Sequence, residues 1–254
     1  MCTLAIYFRV FDDYPIILAA NRDEHFDRPS APPAIADGDP ATIAGRDLRA
    51  GGTWLGVNDH GMIAAVLNRR PNGEPLSPAR VRSRGLLCLD LLKQPSAGPA
   101  KAFIDADRQS YHPFTLVFGD QNELYASYNP SQEIVTVRLK PGLHVFSSAA
   151  EFDLHSPKAV RAHSLFRALG ERVRPRQNNA AEAMAALQSV LADHSPGANS
   201  NDPGDAICVH REASGTVSSS VIFLCDAGSR FETYYCPGAP CRGSFGTALR
   251  LKLR

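Results

Sequence analysis

Neither a nucleotide signature nor a long apolar run is present in these 254 residues. There is no phosphate-cradling Gly-x4-Gly-Lys-Ser/Thr loop, no Gly-x-Ser-x-Gly elbow and no His-Glu-x-x-His pair. Nucleotide, serine-hydrolase and zinc-protease readings therefore lack a foothold. No uninterrupted apolar stretch approaches the ~20 residues that cross a bilayer, so no integral membrane segment is expected. The N-terminus does not follow the plan of a signal peptide. Arg9, Asp12 and Asp13 interrupt the apolar run that begins at Leu4, and no small-residue cleavage site follows. An excess of charge is also missing. Lys and Arg number 27 against 26 Asp and Glu, a net charge of +1, which gives no electrostatic ground for nucleic acid or an anionic membrane as main partner. The short basic run Arg80, Arg82, Arg84 reads as a solvated helix face. Six cysteines are too sparse for a disulfide scaffold in a chain of this size, so free thiols in a reducing, cytoplasmic setting are expected. There is no internal repeat and no low-complexity segment.

What is present is an ordinary globular balance, 44% hydrophobic and 21% charged, enough for a sizeable core. Thr3–Phe11 and Pro15–Asn21 are apolar and rich in β-branched and aromatic residues, and the turn-forming Asp12-Asp13-Tyr14-Pro15 separates them as in a hairpin. A polar, Pro-rich loop is expected from Asp27 to Pro40. Thr53–Val57 and Met62–Asn68 form a second hairpin around Asn58-Asp59-His60-Gly61. From Pro78 the pattern changes to helical spacing over Val81–Lys93 and Ala97–Ala106. Strands follow at Phe114–Phe118, Glu123–Tyr128 and Ile134–Leu139, then helices at Lys158–Val173 and Ala180–Asp193. A loop at Ser195–Asp205 leads to closing strands near Ala206–His210, Val217–Leu224 and Phe231–Tyr235. Strands, then helices, then strands do not alternate as a doubly wound fold would. The expectation is one α+β domain over residues 1–254, with antiparallel sheets and helices packed outside.

Cys2 is the most informative residue. Initiator methionine is generally removed before a small residue, which would leave a thiol and a free α-amine on one residue, nucleophile beside base. A thiol of pKa ~8.5 and an α-amine of pKa ~7.7–8.0 can exchange a proton near neutral pH without a separate histidine. On position alone, a small buried residue at the start of a strand is the simpler reading. The surrounding sequence changes that balance.

Met1-Cys2-Thr3-Leu4, followed by Ala20-Asn21-Arg22-Asp23-Glu24 after an apolar strand, resembles the NRDE family, also called the Transport and Golgi organisation 2 (TANGO2) family. So do Gly51-Gly52-Thr53-Trp54-Leu55-Gly56, then Val57-Asn58-Asp59-His60-Gly61-Met62 running into Ala64-Ala65-Val66-Leu67-Asn68-Arg69. Ser83-Arg84-Gly85, Cys208-Val209-His210 and Gly215-Thr216-Val217-Ser218-Ser219-Ser220-Val221 extend the likeness over most of the chain. The family in turn resembles the cysteine N-terminal-nucleophile hydrolases that cleave bile-salt amides and penicillin V. That likeness implies a four-layer αββα sandwich with two antiparallel sheets. It also implies that Cys2 attacks an amide carbonyl, that Arg22 and Asp23 orient the thiol and amine, and that Asn68 donates to the oxyanion. Such a donor is typically worth ~2.7–4 kcal/mol. Asn21, Glu24, Trp54 and Arg69 are assigned to substrate binding, the substrate being an acylated small molecule with an amide or thioester bond. No cofactor is required. Two positions depart from the patterns. Ser148 stands where the amidases carry a second oxyanion Asn, and Val217 stands where the family shows Arg after Gly-Thr.

The family has also been associated with haem movement, lipid and acyl-CoA metabolism and secretory-pathway organisation. The alternative is therefore a non-catalytic carrier on the same fold, with haem as ligand and His25, His60, His210 or a thiol as axial group. Without the resemblance, Asn21-Arg22-Asp23-Glu24 could be a strand-end turn with an Arg–carboxylate pair, Trp54 a core aromatic and His210 a core histidine. Cys236 and Cys241 have a Cys-x4-Cys spacing with Cys225 upstream, but no second ligand pair follows, and no metal is expected.

Overall fold

The structure, a computed structural model, describes residues 2–69, 81–129, 133–148, 156–197, 200–225 and 228–254. It contains two antiparallel sheets and four α-helices, as an α+β chain should, and its contacts gather into two compact units.

One unit comprises Met1–Asp27 and Pro141–Arg250. Its sheet contains β1 (Thr3–Phe11), β2 (Tyr14–His25), β10 (Gly142–Ser147), β11 (Ser214–Cys225), β12 (Arg230–Pro237) and the first two residues of β13 (Leu249–Lys252), in the order β10-β1-β2-β11-β12-β13. β1 and β2 form the expected hairpin around Asp12-Asp13, in register Thr3↔Asn21, with a bulge between Phe8 and Phe11 where Arg9 takes a φ of 54°. Helices α3 (Pro157–Val173) and α4 (Ala180–Leu191) cover one face. Strand alternation sends Ala5, Tyr7, Ile17, Ala19, Val221 and Phe223 toward Phe166, Leu169, Leu187 and Leu191 of those helices. α3 starts where Ser156 accepts from the Ala159 N–H at 3.1 Å with Pro157 in the first turn, and it stops at Arg174 in the left-handed region. The Tyr7 hydroxyl, buried under α3, donates to the Phe166 carbonyl. The other face of the sheet, with Leu4, Ile6, Phe8, Ile16, Leu18 and Ile222, is buried as well.

The other unit comprises Arg28–Lys140 and Leu251–Arg254. Its sheet runs in sequence order: β3 (Ser30–Ala36), β4 (Thr42–Asp47), β5 (Leu55–Asn58), β6 (Ile63–Asn68), β7 (Phe114–Gly119), β8 (Leu124–Tyr128) and β9 (Val135–Leu139). Helices α1 (Arg84–Leu91) and α2 (Ala97–Ala106) pack Leu87, Leu91, Ala100 and Ile104 on Met62, Ala64, Leu116 and Phe118. Two glycine motifs meet here. The Thr53 N–H donates to the Gly85 carbonyl at 3.0 Å, and a Cβ at Gly52 would lie 2.3 Å from the Gly85 carbonyl carbon. Backbones this close exclude any side chain. Asn58 closes the next motif. Its carbonyl accepts from the His60 and Met62 N–H groups while its amide reaches the Leu92 and Gln94 carbonyls.

Three expectations need correction. The Pro-rich stretch from Asp27 to Pro40 is not all loop, because β3 lies within it. β3 is an edge strand, and its pairing with β4 breaks between Ala31 and Ala34, where Pro32 and Pro33 have no N–H to give. β4, β10 and β13 are strands that the period-2 signal did not disclose. Conversely, 206–210 is not a strand. Its contribution to pairing is a single bridge, His210↔Gly215. Pro78 and Arg80 fall outside the described residues. Arg82 is not simply solvated, since it pairs with Asp90 and donates to the Tyr111 hydroxyl.

Candidate active site around Cys2

Cys2 sits just before β1, partly buried, and the Thr3↔Asn21 register brings it abreast of Arg22. Its backbone nitrogen donates to Ser148 Oγ at 2.7 Å, while the Ser148 N–H donates back to the Cys2 carbonyl at 3.2 Å. Ser148 is 2% exposed and follows β10, the strand beside β1. The Cys2 thiol points at the backbone carbonyl of Asp23, with Sγ to O at 3.8 Å. Ser148, one of the two departures from the related patterns, thus holds the backbone nitrogen of Cys2.

Asp23 is held from two further segments. Lys158 Nζ, on the first turn of α3, lies 3.0 Å from its Oδ2, and both side chains are 2% exposed. The Thr216 hydroxyl donates to its Oδ1 at 2.6 Å. Thr216 in turn exchanges two bonds with Val209: its N–H donates to the Val209 carbonyl, and its Oγ1 accepts from the Val209 N–H, each at 2.9 Å. The β2–β11 register explains the placement. Thr216 opposes Asp23 and Ser218 opposes Arg22, so Val217 is the extra residue of a bulge. A bulge at a strand end re-aims one side chain, here the threonine that meets the carboxylate. The buried carboxylate has a cation and a hydroxyl donor, the pairing that such burial requires.

The other expected site residues are distributed as follows. Asn21, 2% exposed, spans elements. Its amide donates to the Leu191 and Ile207 carbonyls at 2.8 and 2.9 Å, and its oxygen accepts from Ser219 at 2.6 Å. Arg22 and Glu24 alternate to the opposite face of β2 from Asp23, and Arg22 Nη2 lies 3.9 Å from Glu24 Oε2. In the second unit, Asn68 ends β6 and is exposed. Trp54 stacks its ring edge over Gly45, where a Cβ would lie 2.7 Å from Cη2. Arg69 lies over the Tyr128 ring at 5.8 Å. The structure brings Cys2 and Asp23 together and adds Ser148, Lys158 and Thr216, none of which was assigned a role from sequence. Thr216 lay inside a quoted motif and Ser148 was noted as a departure. Lys158 gave no signal beyond opening a helix.

The histidines named for haem have different surroundings. His25 ends β2 and is exposed, His60 stands beside Asp39 and Asp59 in the second unit, and His210 stands against Cys208 and Cys241. A cleft of about 450 Å³ opens far along β1 from Cys2, between Tyr7, Phe11, Leu143 and the end of α3 with Arg167, Glu171 and Arg174. Being remote from the thiol, it has no part in chemistry at Cys2. No helix among the described residues is long and apolar enough to cross a membrane.

Comparison with known proteins agrees with this geometry. Residues 1–234 match the family model described as Transport and Golgi organisation 2. The chain is 29% identical over 256 residues to the Transport and Golgi organization protein 2 homolog of Bos taurus, covering 87% of this chain and 88% of that protein. Among solved structures it is similar to penicillin V acylase from Agrobacterium tumefaciens, with a TM-score of 0.61 at 14% identity, covering 93% of this chain and 83% of that one. It is also similar to the Caenorhabditis elegans ortholog of N-acylethanolamine-hydrolyzing acid amidase, with a TM-score of 0.56 at 14% identity over 87% and 92% of the two chains. These likenesses establish the fold as the α+β type of the N-terminal-nucleophile hydrolases.

Proposed function

The chain belongs to the Transport and Golgi organisation 2 family, and from that premise and the surroundings of Cys2 we propose that it is an N-terminal cysteine hydrolase acting on an amide or thioester of an acylated small molecule. The observation that carries the reading is the pairing of the Cys2 nitrogen with Ser148 Oγ at 2.7 Å while the thiol points to the Asp23 carbonyl. Removal of Met1 turns that nitrogen into an α-amine on the residue that carries the sulfur, held by the buried Ser148 hydroxyl.

In this reading the Cys2 thiol gives its proton to the α-amine, directly or through one water, and the thiolate attacks the acyl carbonyl. A C–S bond forms and the carbonyl π pair moves to oxygen, where the resemblance assigns Asn68 as donor. The tetrahedral species collapses and the bond to the leaving amine or thiol breaks. The leaving group departs with the proton from the α-ammonium, and a thioester on Cys2 remains. Water, deprotonated by the same amine, hydrolyses it and regenerates the thiol. Ser148 fixes the amine. Asp23 acts through its backbone position, set by Lys158 and Thr216. Arg22 is assigned with Asp23 to orienting the thiol and amine, Asn21 shapes β2 from within, and Glu24, Trp54 and Arg69 are assigned by the resemblance to the acyl substrate. The relatives named for penicillin V and N-acylethanolamines suit the same substrate class.

Intact mass and N-terminal sequencing, combined with a thiol-directed acylating probe, test the proposal. Loss of Met1 and a single acyl adduct on Cys2 are expected, with no adduct in Cys2→Ala and slowed acylation in Ser148→Ala. Retained Met1, or labelling unchanged by Cys2→Ala, overturns it.

A further inference from the structure

Four side chains that the hydrolase reading does not use come together in the six-stranded unit. His194 follows α4, Cys208 and His210 lie in the non-strand segment before β11, and Cys241 lies in the turn after β12. One ligand-type atom from each lies within 4.8 Å of all the others. Cys208 Sγ is 3.7 Å from Cys241 Sγ and 3.7 Å from His210 Nε2, and His210 Nε2 is 3.3 Å from Cys241 Sγ. A tetrahedral zinc ion with bonds of ~2.3 Å to sulfur and ~2.0–2.1 Å to nitrogen has S–S edges of about 3.8 Å and S–N edges of about 3.6 Å. Three sides of the cluster therefore have the lengths of a zinc coordination shell.

We propose that His194, Cys208, His210 and Cys241 form a structural Cys2His2 zinc site. The donor set is soft, with two sulfurs, two imidazoles and no carboxylate, which favours zinc over magnesium, calcium or manganese. Four protein ligands close the shell, so the ion has no position for substrate and serves architecture. An outer contact supports the geometry. His194 Nδ1 lies 3.3 Å from the Cys208 carbonyl, the kind of bond that fixes an imidazole tautomer and leaves Nε2 to ligate. Both thiols are free, and binding releases their protons.

The ion has a structural task to perform. Segment 206–210 is buried, lacks a strand of its own and holds to β11 through the His210↔Gly215 bridge and the two Val209–Thr216 bonds. Val209 lies between two of the ligands, and Thr216 is the residue that donates to Asp23. Zinc would cross-link the end of α4, the approach to β11 and the turn after β12, and so fix Thr216. Sequence spacing hid the site because its ligands are scattered over three segments. Cys236, the partner that spacing suggested for Cys241, is buried with its sulfur 3.8 Å from the Pro237 carbonyl and takes no part.

The test uses the full chain, purified with reductant throughout, with zinc and cobalt(II) as probes. Expected are about one zinc per chain by elemental analysis, a tetrahedral cobalt spectrum with thiolate charge transfer, and a lowered thermal midpoint on chelation. His194 and Cys241 are exposed, so His194→Ala and Cys241→Ser should keep the fold while weakening zinc at least about tenfold. Zinc content far below one equivalent after incubation with the metal, an octahedral cobalt spectrum, or affinity unchanged in both variants overturns the site. So does a Cys208–Cys241 disulfide that, once reduced, still refuses the metal. None of these readouts depends on hydrolase activity.

Discussion

Replacing Lys158 by Met removes one half of a buried ion pair and tests how Asp23 is held. Nζ and Oδ2 are 3.0 Å apart with both side chains 2% exposed, so the pair is shielded from water. At that separation and an effective dielectric near 20, the attraction is about 5 kcal/mol, against which the desolvation of both ions must be set. Without the ammonium, the carboxylate keeps the Thr216 hydroxyl as its donor. Removing one partner of such a pair costs about 3–5 kcal/mol. For a protein of this size that lowers the thermal midpoint by roughly 6–20 °C. Asp23→Asn, which strands the ammonium instead, should cost a similar amount. The double variant Asp23→Asn with Lys158→Met should cost less than the two single losses together by a coupling energy of about 2–3 kcal/mol. Urea unfolding of the four proteins gives the cycle directly. If each single variant costs less than ~1 kcal/mol, or the two losses add, the pair is not a buried interaction that sets Asp23 and the reasoning fails.

Gly52→Ala drives a Cβ to 2.3 Å from the Gly85 carbonyl carbon and should destabilise by about 3 kcal/mol. Gly51→Ala, at a φ of 72° with open space around it, should cost only about 1 kcal/mol, and equal denaturation midpoints for the two would refute the close-approach argument. Asn21→Ala strands two carbonyls and one hydroxyl, and about 3 kcal/mol should be lost in urea unfolding. Burial alone would raise the Asp47 carboxyl, but the Ala50 N–H, the Arg28 guanidinium and the Arg49 N–H hold it below its ordinary value. A carboxyl lowered in the folded state contributes stability above the unfolded Asp pKa of ~3.9, and that contribution is lost as pH falls through the folded value. Asp47→Asn should therefore be less stable than wild type at neutral pH, with the gap closing in acid. Parallel stability curves from neutral pH into acid would contradict this.

Where one face of a strand is buried and its partner is near in sequence, the residues announced it. Thr3–Phe11 with the following strand, the hairpin around Asn58, and the amphipathic stretches of α3 and α4 were all legible. β3 was not, because Pro32 and Pro33 mask an edge strand whose pairing is interrupted at those two residues. The segment 206–210 misled in the opposite direction. Ala206, Ile207, Cys208 and Val209 are between 0 and 4% exposed, and the apolar run recorded that burial rather than any pairing.

The same distinction governs the site. Cys2 stood out because its chemistry depends on its place in the chain, and Asp23 because a family motif carried it. The groups that position them lie 135, 146 and 193 residues away, as Lys158 from Asp23, Ser148 from Cys2 and Thr216 from Asp23. No local pattern encodes such separations. They become neighbours through sheet order, which sets β10 and β2 on either side of β1, and through the bulge at Val217. Both departures from the related patterns fall on these two devices. Ser148 ends up bonded to the Cys2 nitrogen, and Val217 is the residue that the bulge adds. Ser148 Oγ accepts from the Cys2 nitrogen and keeps its own hydrogen to donate. The resemblance to the amidases assigns the oxyanion to Asn68, so Asn68→Ala should lower turnover by about 10²–10³ with the folded stability unchanged, and an undiminished rate would remove Asn68 from the chemistry.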